Sequence, residues 1–306
     1  MVLVALLATA PPVLPADDGI APDPAHVHVP ITVDVAPVIE RLRLSLVEPR
    51  RILPAAEGRL LIADARAGVV FAVDRDGTVE VLLEDLDDPV ALALDSEAIL
   101  YVAENAGGRT GAGSIIRLYG NGTEDVLVGN LTSPEDLACD VDGNLYFVSS
   151  AMPELHSVTP DGRTRVVNAS IKSPSAVAVD VDGRIHVTSR ADGTLLRISR
   201  TGDTQVVGCG LTEPTDIAFD GSNQPVVASA VTGELVAFDN NGLPVRYASV
   251  PRGTVGIDFD AAGNLCLVNS HLQTAARVTS RISIACPHCD EPIPLRLKRL
   301  RVDSTF

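Results

Sequence analysis

The chain has 306 residues, of which 46% are hydrophobic and only 3% aromatic, and it contains no tryptophan. Its core must therefore be built from Val, Leu, Ile and Ala, a bias that suits β-strands. The formal net charge of −16 argues against a nucleic-acid partner, because phosphate binding requires patches of Lys and Arg. The length is compatible with one closed all-β domain.

Residues 1–30 are predicted to be a signal peptide followed by a flexible lead-in. Residues 1–16 combine an apolar stretch with small residues, as a secretory signal does, although no Lys or Arg precedes the stretch. The stretch is too short to span a bilayer. Two alternatives stay open: a secreted or periplasmic protein, or a cytoplasmic protein with an apolar tail.

A repeat organises the next part of the chain. The motif Pro-x-x-(Leu/Val/Ile)-x-x-Asp occurs four times, and two degenerate copies flank it. The repeats start at residues 49, 89, 134, 174, 214 and 254, in steps of 40 with a single step of 45. Each unit contains four short apolar segments separated by turn residues. This period predicts an all-β fold, a six-bladed β-propeller with four-stranded blades.

The last unit lacks an outer strand, because Ile282 occupies the position of the turn glycine. Residues 38–46 stand as far before Pro49 as residues 78–86 stand before Pro89. We therefore expect this N-terminal strand to pair with the last blade and close the ring, which removes its exposed edges.

The predicted propeller covers residues 31–290, and a basic tail covers residues 291–306. A thiol pair, Cys286 and Cys289, lies just before the tail. The spacing suits a local disulfide, two free thiols, a redox pair, or half of a metal site that lacks its second Cys pair.

Residues 174–189 and Leu100–Glu104 resemble NHL repeats and the gluconolactonase (senescence-marker) family of calcium-dependent lactone hydrolases. The resemblance covers residues 38–282 and implies a six-bladed propeller. It also implies metal-binding Asp or Asn residues directly after each repeat proline. Here those positions hold Arg50, Val90, Glu135, Ser175, Thr215 and Val255. Only Glu135 among them is a ligand type, so the family's usual metal cage does not carry over.

Alternating strand directions place the start of each first strand and the end of each second strand at one channel mouth. The side chains expected there are Arg51, Asp64, Glu104, Glu135, Asp136, Asp216 and Asn269. Converging carboxylates can bind Ca²⁺, with Glu104, Asp136 and Asp216 as candidate ligands, or can supply a general base. They can equally be solvated rim residues, so no catalytic residue is assigned.

Two functions follow from this site. We favour a monomeric, non-catalytic propeller, without a membrane span, that binds a protein or a small-molecule ligand at the channel mouth. The alternative is a divalent-metal (calcium)-dependent lactone hydrolase or lyase of the gluconolactonase-like class. The first is preferred because the positions that the family uses for metal are mostly apolar or hydroxylic in this chain.

Overall fold

Six four-stranded antiparallel sheets form the fold, as the repeat predicts. The computed structural model describes residues 31–33, 38–239, 241–279, 295–297 and 300–301. The inner strands of consecutive sheets contact one another in a closed ring, in which the sixth contacts the first. The all-β prediction and the six-bladed propeller are both confirmed.

The strands are numbered from the channel outward within each blade. Blade 1 contains Pro49–Pro54, Leu60–Asp64, Val69–Val73 and Val79–Leu83. Blade 2 contains Pro89–Leu94, Leu100–Glu104, Gly113–Leu118 and Glu124–Leu131. Blade 3 contains Pro134–Cys139, Leu145–Ser149, Met152–Val158 and Thr164–Asn168.

Blade 4 contains Pro174–Val179, Ile185–Ser189, Thr194–Ile198 and Thr204–Cys209. Blade 5 contains Pro214–Phe219, Pro225–Ser229, Glu234–Phe238 and Pro244–Ser249. Blade 6 contains Thr254–Phe259, Leu265–Asn269, Thr274–Thr279 and Val38–Arg41. The described helices are two 3₁₀ turns, Ala56–Gly58 and Ala106–Gly108. No described helix is long and apolar enough to cross a membrane.

The N-terminal strand closes the ring where the repeat pattern places it. Val38–Arg41 pairs antiparallel with Thr274–Thr279, and Ile39 lies opposite Val278. Behind it, Leu46 is buried in the cluster between blades 6 and 1, and Leu42 and Leu44 pack against that cluster. The N-terminal strand Val38–Arg41 thus supplies the fourth strand of blade 6.

Hydrophobic clusters hold the blades together, with one cluster at each of the six interfaces. The second strand of most blades is buried throughout, as in Leu145–Ser149 and Ile185–Ser189, because neighbouring sheets cover both of its faces. Cys266 is part of this core, whereas Cys209 is exposed, and neither is in a disulfide.

The turn between the first and second strands is fixed by an aspartate side chain. In blade 3, Asp140 Oδ1 accepts hydrogen bonds from the backbone N–H of Asp142 and of Asn144, and Gly143 adopts φ +77°. The same pattern of bonds to residues two and four ahead recurs at Asp95, Asp180, Asp220 and Asp260. The repeat's acidic turns are therefore explained by turn chemistry.

Other predicted segments lie partly outside the described residues. Ile31–Val33 pairs in parallel with Leu295–Leu297, and Leu300–Arg301 extends the outer edge of blade 5. Residues 1–30, which include the predicted signal peptide, are outside the described part of the chain, and so are Cys286 and Cys289.

Candidate functional site

A β-bulge recurs at the start of all six inner strands. The pairing with the second strand shifts between the first and third residues, for example between Pro134 and Asp136. A bulge inserts one extra residue and re-aims the neighbouring side chains. The second and third residues of each inner strand therefore both face the same end of the channel.

The deeper of these two positions alternates between charged and small residues around the ring. In blade order it holds Arg51, Ala91, Asp136, Ala176, Asp216 and Gly256. The small residues leave the central space to the charged side chains of blades 1, 3 and 5. Gly256 is required for a steric reason, because a Cβ there would stand 2.8 Å from the Arg50 carbonyl oxygen and 3.3 Å from Arg51 Cα.

Arg51 reaches across the channel to both aspartates. Its guanidinium forms an ion pair with Asp216 and lies 3.7 Å from Asp136 Oδ1. All three residues are buried, with relative exposures of 8% for Arg51, 4% for Asp136 and 1% for Asp216. Buried charges require such pairing, since an uncompensated charge in the interior is costly.

The aspartates also hold the backbone of the next blade. Asp136 Oδ2 accepts a hydrogen bond from Val177 N at 2.9 Å, and Asp216 Oδ2 accepts one from Ile257 N at 2.7 Å. The channel-facing edge of an inner strand has unpaired amides, which need such acceptors. Each aspartate therefore ties its blade to the next as well as to Arg51.

A third carboxylate, Asp258 of blade 6, completes the cluster. Burial raises the pKa of Asp258 and that of Asp136 to about 7, although the Arg51 charge opposes the shift in both cases. Burial likewise raises the pKa of Asp216. Burial disfavours the charged form of Arg51, but the three carboxylates together keep its pKa above the ordinary value. These shifts favour a charged Arg51 and retention of protons by the carboxylates of the cluster.

A pocket of about 210 Å³ opens above this cluster at the channel mouth. Arg51, Asp136 and Asp216 lie on its lining. The remaining lining residues are Arg50, Val90, Asn105, Pro134, Glu135, Ser175, Arg190, Thr215 and Val255. The position directly after each repeat start therefore forms the wall of the pocket in all six blades.

Two polar atoms of lining residues have no hydrogen-bond partner within the described structure, although both are buried. They are Nε of Arg51, a donor, and Oδ1 of Asn105, an acceptor. Arg190 is held loosely, at 3.9 Å from Glu135 and 3.6 Å from Glu213. Buried polar groups are normally satisfied, so these atoms mark a place where a polar ligand can complete the bonding.

The predicted mouth residues fall into two groups. The structure brings Arg51, Glu135, Asp136 and Asp216 together in this pocket. Asp64 instead accepts bonds from Val47 N at 2.6 Å and Glu48 N at 2.8 Å.

Glu104 and Asn269 also bind the segment that leads into their own blade. Glu104 accepts from Asp87 N at 3.0 Å, and Asn269 donates to the Arg252 carbonyl at 3.0 Å. Together with Asp64, these second-strand ends clamp the connections between blades and are absent from the pocket lining.

The residues do not form a calcium cage. Of the candidate ligands, Asp136 and Asp216 are brought together, but Glu104 is not. Arg51 occupies the side of the carboxylates on which a cation would bind. In the described part of the chain, no group of three His, Cys, Asp or Glu side chains could hold a metal ion. The calcium that the family resemblance implies therefore does not fit this channel.

Sequence reasoning missed Asp258 and Asn105. The fifth residue of the inner strand is apolar in the other blades, namely Leu53, Ala93, Ala138, Ala178 and Ala218. The single charged residue in that column was the available sign of a site. Asn105 begins the longer loop of blade 2, where the five extra residues fall, and no repeat column identifies it.

Comparison with known proteins supports the fold. No protein-family profile and no curated protein matches the chain. A gluconolactonase from Xanthomonas campestris matches with a TM-score of 0.67 and 20% identity, over 79% of this chain and 89% of that one. A putative gluconolactonase matches with a TM-score of 0.66 and 16% identity, over 79% and 92%. A streptogramin B lyase matches with a TM-score of 0.64 and 14% identity, over 79% of this chain and 97% of that one. At the level of fold, the resemblance to gluconolactonase-like propellers is confirmed.

Proposed function

We propose that this propeller binds a small, hydroxylated carboxylate at the channel mouth and does not use a divalent metal there. The observation that carries the proposal is the position of Arg51, whose guanidinium lies against Asp136 and Asp216. Aspartates that converge on a channel would suit a hard cation, but here they are already paired with a permanent cation of the protein.

The size and chemistry of the pocket define the class of ligand. A cavity of about 210 Å³ is smaller than a typical drug-sized site, so it suits a small molecule. Its wall presents the guanidinium groups of Arg51 and Arg190, the carboxylate of Glu135 and the hydroxyls of Ser175 and Thr215. A guanidinium that is loosely held can turn to bind a carboxylate, and the remaining groups suit hydroxyls.

Catalysis is the second candidate, since the site contains groups that can transfer protons. The pKa of about 7 for Asp136 and Asp258 lies where a general base works best. A lactone hydrolase or a lyase of the kind found among the structural neighbours would use such a base. It would also need room for substrate beside Asp136, which Arg51 now fills.

Calorimetric titration with D-gluconate, a hydroxylated carboxylate, tests the first candidate. We expect saturable binding that is at least tenfold weaker in Arg190→Ala, because that variant loses the carboxylate partner. Arg163→Ala, which removes an arginine that is 86% exposed on blade 3, is the matched control and should bind as the native chain does.

Turnover of D-glucono-1,5-lactone, with and without added calcium, tests the second candidate in the same preparation. We expect no calcium-dependent turnover. The proposal is wrong if gluconate does not bind, or if calcium supports hydrolysis that is lost in Asp136→Asn.

A further inference from the structure

A second, much larger cavity opens at the outer side of the ring between blades 1 and 2. Its volume is about 1580 Å³, compared with about 210 Å³ at the channel mouth. It is lined by residues of both blades, from the first-to-second-strand turn of blade 1 to the outer strand of blade 2. We call it the lateral cleft.

At two positions beside the cleft, blade 2 has leucine where blade 5 has phenylalanine. The last residue of the inner strand is Phe219 in blade 5 and Phe259 in blade 6, and Phe259 packs against Tyr247 at 5.9 Å. Blade 2 has Leu94 at that position. The last residue of the third strand is Phe238 in blade 5 but Leu118 in blade 2. Leu94 and Leu118 therefore form part of the apolar lining of the lateral cleft.

The floor of the lateral cleft is apolar. Leu82, Leu86, Leu94 and Leu118 pack against the buried cluster between the two blades but are themselves only partly buried. Val126 stands at the edge and is 63% exposed. A contiguous apolar surface of this kind, rimmed by polar residues, is typical of an interaction site.

The rim of the lateral cleft is acidic. Eight carboxylates and two arginines line it: Glu57, Asp74, Asp76, Glu84, Asp85, Glu104, Glu124 and Asp125, with Arg59 and Arg75. Asp74 pairs with Arg59, and Asp125 pairs with Arg117. Within the described structure, no ion pair involves Glu57, Glu84, Asp85 or Glu124. These four side chains are exposed, so their charge is available to a partner.

We infer that the lateral cleft binds a basic, leucine-bearing peptide segment of another protein. The leucines of such a segment would occupy the apolar floor, and its Lys and Arg side chains would lie against the unpaired rim carboxylates. Complementary charge would speed association and fix the register of the peptide, and burial of apolar surface would supply the affinity.

The chain's own tail, with Leu295, Arg296 and Leu297, has this chemistry too. It lies elsewhere, because Leu295–Leu297 pairs with Ile31–Val33 and Leu300–Arg301 pairs with blade 5. A separate protein is therefore the occupant that the structure favours.

Fluorescence anisotropy with a labelled KLLKRLLKR peptide tests the inference on the full chain. We expect saturable binding that weakens as salt is raised, since exposed charges are screened. A KSSKRSSKR peptide should bind at least tenfold more weakly, because it keeps the charge but lacks the leucines. The inference is overturned if KLLKRLLKR does not bind, or if both peptides bind equally well.

Charge reversal at the rim of the lateral cleft tests where the peptide binds. The double variant Glu84→Lys/Asp85→Lys changes two exposed residues and should weaken KLLKRLLKR at least tenfold. Asp161→Lys/Asp182→Lys makes the same change on blades 3 and 4 and should bind normally. Equal weakening in both variants would contradict the assignment to the cleft.

Sedimentation velocity of the native chain completes the test. Self-association that is lost on removal of residues 292–306 would make a second copy the occupant and would also overturn the inference.

Discussion

Arg51 determines what the channel of this propeller can bind. Its side chain lies among three carboxylates contributed by blades 3, 5 and 6, and burial raises the pKa of each of them. Three ionised carboxylates beside one guanidinium would leave two uncompensated charges in the interior, which is unfavourable. Retained protons relieve that excess, so the stability of the ring is linked to pH.

Stability should fall with rising pH because of Asp258. Its pKa in the folded state is about 7, whereas an unfolded aspartate titrates near 3.9. The folded state therefore binds the additional proton. Its contribution to the free energy of unfolding is complete below about pH 4 and is lost as pH rises through about 7. The free energy of unfolding falls over this range with a limiting slope of about 1.4 kcal/mol per pH unit. Asp258→Asn mimics the protonated side chain, so it should gain stability relative to the native chain between pH 5 and 8.

Urea unfolding of both proteins across that pH range measures the difference. The histidines and the carboxylates outside this cluster titrate alike in the two proteins, so their contributions cancel. Asp203→Asn, an exposed aspartate on blade 4, is the matched control. A stability difference between Asp258→Asn and the native chain that is constant with pH would contradict the assigned role of Asp258.

At the scale of elements, the inner-strand bulge positions the side chains of the channel, and the closing strand completes the ring. The bulge presents the same two columns of side chains in every blade, and those columns form the pocket wall and the buried cluster. The closing strand covers the free edge of Thr274–Thr279, which would otherwise be available for pairing with other chains.

Removal of residues 1–46 should destabilise the ring and promote aggregation. The deletion takes away Val38–Arg41 and also Leu46, which is buried in the cluster between blades 6 and 1. A buried leucine contributes about 2 kcal/mol, and about 1 kcal/mol shifts the melting temperature of a domain this large by about 2–3 °C. We therefore expect the melting temperature to fall by at least about 5 °C. Removal of residues 1–30 leaves the closing strand intact and should change the melting temperature little. Differential scanning calorimetry compares the two, and equal melting would show that the strand does not close the ring.

The repeat made the blades, their order and the ring closure predictable, because each depends on a short pattern that recurs in register. Arg51, Asp136 and Asp216 were also found, since the bulge fixes their column. The ion pair itself was not predictable, because Arg51 and Asp216 lie 165 residues apart and no local pattern pairs them. Asp64, Glu104 and Asn269 share a column with one another, but their bonds to loop amides and carbonyls depend on connections that vary between blades.

At the scale of the whole molecule, we assign the propeller two different candidate recognition surfaces. The channel mouth is small, polar and internally ion-paired, and the lateral cleft is large, apolar at its floor and acidic at its rim. The net charge of −16 gives the entire surface an attraction for basic partners. The two sites share no lining residue, so their ligands can be tested independently.

The calcium content of the intact protein tests the central claim that Arg51 replaces a metal in the channel. The purified chain is dialysed against buffer with about 1 mM calcium, which would fill most protein calcium sites, and the bound metal is measured by elemental analysis. We predict no stoichiometric calcium. One calcium per chain, lost in both Asp136→Asn and Asp216→Asn, would contradict the account.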